Sequence, residues 1–268
     1  MQLNFKKIGE GFPVVILHGL MGSLDNWQTI AKKMAVLSES VFHNPLCIYT
    51  IDQRNHGRSP HSSLFDYACM TTDLYDFFKQ QNIEKAHLIG HSMGGKVAMN
   101  FAFQFPELTE KLVVVDIAPE SYSDKHSDVF DALFATHAST AESRDAVQAI
   151  LRSKLQDETT VQFLLKSLTR SEMPGVNFEW RFNLEALHKN YAAISGDIPS
   201  ANPFHGPSLF VKGSNSNYIT SSNYGRIAAL FPHHTIEEIK QAGHWVHAEK
   251  PDEFTDIVLR FITVQIGL

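Results

Sequence analysis

Ile89-Gly90-His91-Ser92-Met93-Gly94-Gly95 sets a serine between glycines, after a short apolar run and ahead of a segment with helical periodicity. It reads as a nucleophile elbow, a turn in which a strand reverses sharply into a helix and holds the serine in strained backbone angles above the sheet edge. The glycines have steric reasons to be there. Gly90 and Gly94 stand where a Cβ would collide across the turn, and Gly95 lets the new helix approach the sheet. Gly-x-Ser-x-Gly also occurs in ordinary glycine-rich loops, so the reading requires a strand and a helix on its two sides and a base and an acid downstream.

The flanks supply the first requirement. Ala86-His87-Leu88-Ile89 is a buried strand, and Val97, Ala98, Phe101, Ala102 and Phe105 form one helical stripe that ends at Pro106. Upstream, Val14-Val15-Ile16-Leu17 has the continuous apolar character of a strand covered on both faces. It runs into His18-Gly19-Leu20-Met21-Gly22, a loop able to turn amide N–H groups towards the serine. The amides of Leu20 and Met93 are therefore the candidate oxyanion hole, with His18 a supporting residue.

Leu3 to Ile8, broken at Gly9-Glu10-Gly11, resembles the first arm of a hairpin. Asp25 is expected to cap a helix from Trp27 to about Leu37. Leu46 to Ile51 leads into the polar loop Asp52 to Ser59, where a pairing of Asp52 with Arg54 to stiffen the loop is expected rather than catalysis. Lys111 to Val115 is a further buried strand and carries Asp116 at its C-terminal end. Strands alternating with helices, with the chemistry at strand C-termini, define an α/β fold with a mostly parallel, doubly wound sheet.

Between Ser121 and about Asn202 the pattern is helical. The reading is an all-helical lid, residues 121–202, inserted after the sixth strand of a core made of residues 1–120 and 203–268. Ser139-Thr140-Ala141-Glu142 has capping-box spacing within it. Trp180, Arg181 and Phe182 form a compact cluster that either lines a pocket under the lid or anchors the lid to the core. The sheet resumes at Ser208 to Lys212 and Thr235 to Ile239, and an amphipathic helix begun by Pro251 closes the chain.

A serine hydroxyl becomes nucleophilic when a neutral imidazole takes its proton, and the imidazole works best when a carboxylate fixes its tautomer. Among 14 histidines, His244 lies in a glycine-led loop after the last strand and fits the chain order of the fold. His247 is its competitor, and His91 is read as pointing away from the elbow tip. Trp245, beside the base, is a candidate substrate contact. The loop after the strand that follows the lid, where the acid is usual, reads Gly213-Ser214-Asn215-Ser216-Asn217 and has no carboxylate. Asp116 is the replacement, and Ser216 in the vacated place is expected to hydrogen-bond the Asp116 or His244 side.

The formal charge of -6 and the lack of any basic run argue against nucleic acid. No apolar run is long enough to span a bilayer and the first residues lack a secretory h-region, so a cytoplasmic setting is the default expectation. Cys47 and Cys69 read as reduced thiols, His244, His247 and Glu249 match no metal-ligand spacing, and no cofactor is expected. The oligomeric state is not encoded in any pattern.

The stretches 18–26, 52–57, 90–96, 115–119, 180–183 and 243–251 resemble the α/β-hydrolase superfamily over nearly the whole chain. That resemblance implies the α/β-hydrolase fold, a lid and serine chemistry; its nearer part, to a bacterial esterase group, implies small-molecule carboxylic esters and acyl-CoA thioesters as substrates. A carbon–carbon bond hydrolase or perhydrolase using the same Ser92, Asp116 and His244, or a non-catalytic ligand binder, are the alternatives. For a polyanionic acyl-CoA, Arg54, Arg58, Lys96 and Arg181 are the candidates for a basic rim.

Overall fold

The computed structural model describes residues 1–123, 126–198 and 202–263. Seven strands form the main sheet: β1 Phe5–Ile8, β2 Phe12–Leu17, β3 Leu46–Ile51, β4 Ala86–His91, β5 Thr109–Val115, β8 Ser208–Gly213 and β9 His234–Ile239, in the order β1-β3-β2-β4-β5-β8-β9. β1 is antiparallel to β3; every other pairing is parallel. The strand order reverses at β2, the topological switch at which the loops after β2 and β4 diverge and leave a crevice.

The pleat sorts the apolar residues into two layers. Leu17, Leu88, Leu112 and Val114 face one side, with α2 (Tyr67–Gln80), α3 (Met93–Gln104) and the lid packed upon them. Val14, Ile16, Ile89, Val113 and Val115 face the other, under α1 (Gln28–Ser40) and α11 (Pro251–Thr263). Both faces of the central strands are thereby buried, which is why they read as unbroken apolar runs.

Local readings are corrected in four places. β1 does not pair with β2 as a hairpin: Gly11, at φ +129, brings the chain so close to Pro45 that a Cβ would lie 2.0 Å from its carbonyl oxygen, and β1 passes on to the far edge of β3. Ser23, not Asp25, begins the first helical turn, and Asp25 instead accepts from Lys6 and Arg181. Arg54 pairs with Asp73 at 2.5 Å, while Asp52 accepts the backbone N–H groups of Leu24 and Arg58. Within the lid, Ser143 rather than Ser139 caps α5 (Arg144–Lys154).

The insertion follows β5, the fifth strand, so it does not come after a sixth. Nor is it purely helical. Its helices α4 (Ser127–Ala135), α5, α6 (Glu158–Lys166), α7 (Leu184–Lys189) and α8 (Tyr191–Ser195) are interrupted by a two-stranded antiparallel pair, β6 (Leu168–Arg170) with β7 (Phe178–Trp180). Three-residue strands are too short to show a period of two, so nothing in the pattern separated them from loop.

Among the described residues, His87 and His247, two of the five buried histidines whose pKa burial lowers, give the fold a pH dependence that His18, His56 and His91 reinforce. Burial, helped by the cations Lys111 and Lys85 and opposed by Glu110, pushes His87 down to about 4. Burial, with His244 and Lys166, pushes His247 to about 3. Each is a base whose folded pKa lies below its unfolded value near 6.5, so the unfolded chain binds more protons as pH falls, and stability falls with it. At pH 5.5 each should cost about 1.4 kcal/mol relative to neutral pH. Thermal melts should show Tm lower by at least roughly 5 °C at pH 5.5 than at pH 7.5; a flat profile over that window would contradict neutral burial of these rings.

Candidate active site

β4 ends at His91 and α3 starts at Met93, leaving Ser92 alone at the corner with φ 52 and ψ −120. The turn is steric in origin: a Cβ on Gly90 would lie 2.3 Å from the Gly94 carbonyl oxygen, and one on Gly94 would lie 2.5 Å from those of Leu17 and His18. Ser92 N–H donates to the Val115 carbonyl at 3.0 Å, which ties the corner to the end of β5. The strain is held by these close approaches and keeps the hydroxyl at the floor of a pocket that Leu20, Met93 and Tyr218 also line.

The loop after β2 is set by two neutral histidines. His18 donates from Nδ1 to the Gly19 carbonyl and accepts at Nε2 from Gln53 N–H. Burial lowers its pKa against the opposing pull of Asp52 and the Gly19 carbonyl. His56 Nε2 takes the Met21 N–H at 3.0 Å. Met21 is thus spoken for, whereas among the described residues neither Leu20 nor Met93 donates its backbone N–H to another protein group. These two N–H groups flank the serine, one from each loop of the crevice.

Asp116 follows β5 directly, is fully buried, and has φ 51. Its Oδ2 accepts from His244 Nδ1 at 2.7 Å and from the Ser216 hydroxyl, and its Oδ1 accepts from Gly213 N–H at 3.2 Å. Ser216 Oγ in turn accepts Tyr218 N–H. Tyr218 lies flat on the His244 imidazole, centroids 3.9 Å apart at 21°. The carboxylate-free loop therefore still reaches the Asp116–His244 pair, through the Ser216 hydroxyl on Asp116 and the adjoining Tyr218 ring on His244.

His247 is directed elsewhere: its ring stacks on Trp27 at 4.1 Å and 4° in the core. His91 turns away from the elbow tip but onto the His244 loop, where its Nε2 donates to the His244 carbonyl at 2.9 Å. Trp245 packs on Phe163 of α6 and lines the second pocket, beside His244. Ser92 and His244 form no hydrogen bond with each other; each lines its own pocket of the crevice.

Trp180 and Arg181 line neither of these pockets. Trp180 stacks on Phe182 and Arg181 binds Asp25, so the cluster ties the lid to the core. Of the cations considered for a basic rim, Arg54 is held by Asp73, Arg58 does not line either pocket, and only Lys96 reaches one. Its ammonium donates to the carbonyls of Glu120 and Gly196, the two stalks of the lid. Burial pulls it down to about 8 against the carboxylates of Asp197 and Glu120. Sequence reasoning did not single out Tyr218, because a tyrosine directly after an acid-free loop carries no pattern of its own.

Fold, elbow and imidazole–carboxylate pair define the class: the chain belongs to the α/β-hydrolase fold family, whose model matches residues 13–251. Esterase YbfF of Escherichia coli (strain K12) is 39% identical over 253 residues, covering 93% of this chain and 92% of that protein. The sn-1-specific diacylglycerol lipase ABHD11 of Danio rerio is 39% identical over 261 residues, covering 95% of this chain and 79% of that protein. A solved structure described as a marine microorganism esterase matches with a TM-score of 0.91 at 39% identity, over 97% of this chain and 99% of that one. The chain is an α/β-hydrolase of the esterase and lipase kind. Among the described residues, no helix is long and apolar enough to cross a membrane.

Proposed function

We propose that this protein hydrolyses small carboxylic esters through an acyl-enzyme on Ser92. The observation that carries the reading is the fully buried Asp116, whose Oδ2 accepts from the partly exposed His244 Nδ1 at 2.7 Å, which leaves Nε2 as the basic nitrogen on the crevice side. Ser92 Oγ attacks the ester carbonyl as His244 takes its proton, and the N–H groups of Leu20 and Met93 receive the oxyanion. The imidazolium then gives the proton to the departing alcohol. A water activated by the same imidazole releases the acid and restores Ser92. All roles are filled by groups of this chain, so the proposed reaction calls for no cofactor.

The pockets have different characters. The pocket at Ser92 and Met93 continues among Tyr67, Ile117 and Ile194 and suits an apolar acyl group. The one at His244 is edged by Asp157, Thr160 and Asn215 and lies where a leaving group would receive its proton. An acyl-CoA thioester fits the same chemistry, yet among the described residues its polyanionic leaving group would find no arginine or lysine lining this edge. A kinetic panel of p-nitrophenyl esters and acyl-CoAs matched in chain length should therefore give higher kcat/KM for the esters. Turnover of acyl-CoAs alone would overturn the ester reading, and turnover of neither would favour a ligand binder.

A further inference from the structure

We propose that Glu249 is a positioning residue for His244, holding the base by the backbone on both sides of it. The inference rests on the reading of His244 as the general base. Glu249 ends α10, a single turn spanning Val246–Glu249, and its carboxylate folds back over the start of that turn. Oε2 accepts the Gly243 N–H at 2.8 Å and Oε1 accepts the Trp245 N–H at 3.2 Å. The two donors are the residues immediately before and after His244. From the opposite side, His91 Nε2–H donates to the His244 carbonyl at 2.9 Å. Burial, with His244 and His247 nearby, keeps His91 well below its ordinary pKa and hence a neutral ring with one proton to give.

The need for such a clamp follows from where the base sits. His244 lies on a loop between β9 and α10, reached through Gln241 at φ 57, and not on a strand or long helix that would hold it by itself. Asp116 and Tyr218 fix the ring's tilt and rotation about its own bonds, but they do not fix the height of the loop above Ser92. A carboxylate bridging two N–H groups does, with charge-assisted hydrogen bonds. Gly243 leaves the necessary room: a Cβ there would stand 3.2 Å from Glu249 Oε1. Glu249 is itself exposed, so its charge acts on the imidazole through screened solvent and the effect runs through geometry.

The alternative is a cap that merely stabilises a short turn. A cap would move Tm and leave the chemistry alone; a positioning residue moves kcat. With p-nitrophenyl butyrate, Glu249→Ala should lower kcat by roughly 10- to 100-fold with KM within about threefold, since about 1 Å of misplacement can cost 10²-fold. Glu249→Gln keeps one acceptor oxygen but sets an NH₂ against the other N–H, so it should recover only part of the loss. The far-downfield proton resonance of His244 Nδ1–H on Asp116 should shift or broaden in Glu249→Ala while the protein stays folded by circular dichroism.

Wild-type kcat with an unmoved resonance in Glu249→Ala would overturn the proposal, as would a loss that merely tracks the unfolded fraction and is not rescued by glutamine. His244→Ala is measured in parallel. If it keeps native turnover, the base assignment itself has failed and the proposal falls with it, an outcome distinct from failure at Glu249 alone.

Discussion

Ser92→Ala is expected to lower turnover of p-nitrophenyl butyrate by about 10⁴-fold or more, because removing the nucleophile disables the serine, imidazole and carboxylate as a unit. The hydroxyl makes no hydrogen bond that holds the elbow; the corner is kept by Ser92 N–H on Val115 and by the glycine contacts around it. Alanine has to adopt the same φ of 52 that serine already tolerates, so folding should be little changed. Steady-state kinetics with a thermal melt separates the two effects. Activity within tenfold of wild type in a folded Ser92→Ala protein would remove Ser92 from the chemistry.

Asp116→Asn should cost about 10³- to 10⁴-fold in kcat. Asparagine can turn its NH₂ towards Nδ1, which stabilises the tautomer carrying its proton on Nε2, and that tautomer cannot accept from Ser92. The amide also supplies one acceptor oxygen where the carboxylate now serves Gly213 N–H, the Ser216 hydroxyl and His244 together. Ser216→Ala removes one donor to the carboxylate and should cost about 10- to 100-fold, since a hydrogen bond to a charged group contributes about 1.5–3 kcal/mol. The ratio between the two variants is informative. Native kcat in Asp116→Asn would return the acid's role to another carboxylate.

Much of this was legible because the decisive features are local. The elbow needs glycines at fixed spacing, the parallel strands need unbroken apolar runs, and the carboxylate stands at a strand's C-terminal end, so each left its mark within a few consecutive residues. Proposing Asp116 as the partner of His244, with no carboxylate at Gly213 to Asn217, required only chain order, and the two side chains meet at 2.7 Å. The expected contact of Ser216 with the Asp116 side is present in the structure as a hydroxyl donating to Oδ2.

What was not legible depends on pairing at a distance. β1 joins β3 because of a close approach at Pro45 that no period announces. Arg54 prefers Asp73, two α2 turns in from the Asp66 cap, over Asp52 two residues away, because Asp52 is spent on the backbone N–H groups of Leu24 and Arg58. Trp180 and Arg181 look equally like pocket or anchor in sequence, and only the position of Asp25 on the core decides for anchor. Tyr218 and Glu249 act on His244 through a ring face and through backbone N–H groups, contacts that leave no signature in residue spacing.

The most direct test of the central claim is active-site titration with a fluorophosphonate, followed by peptide mass spectrometry. An acyl-enzyme mechanism on Ser92 predicts stoichiometric labelling confined to Ser92, abolished in His244→Ala and accompanied by complete loss of esterase activity. Full inactivation without a label on Ser92, or an unlabelled protein that still hydrolyses esters, would contradict it.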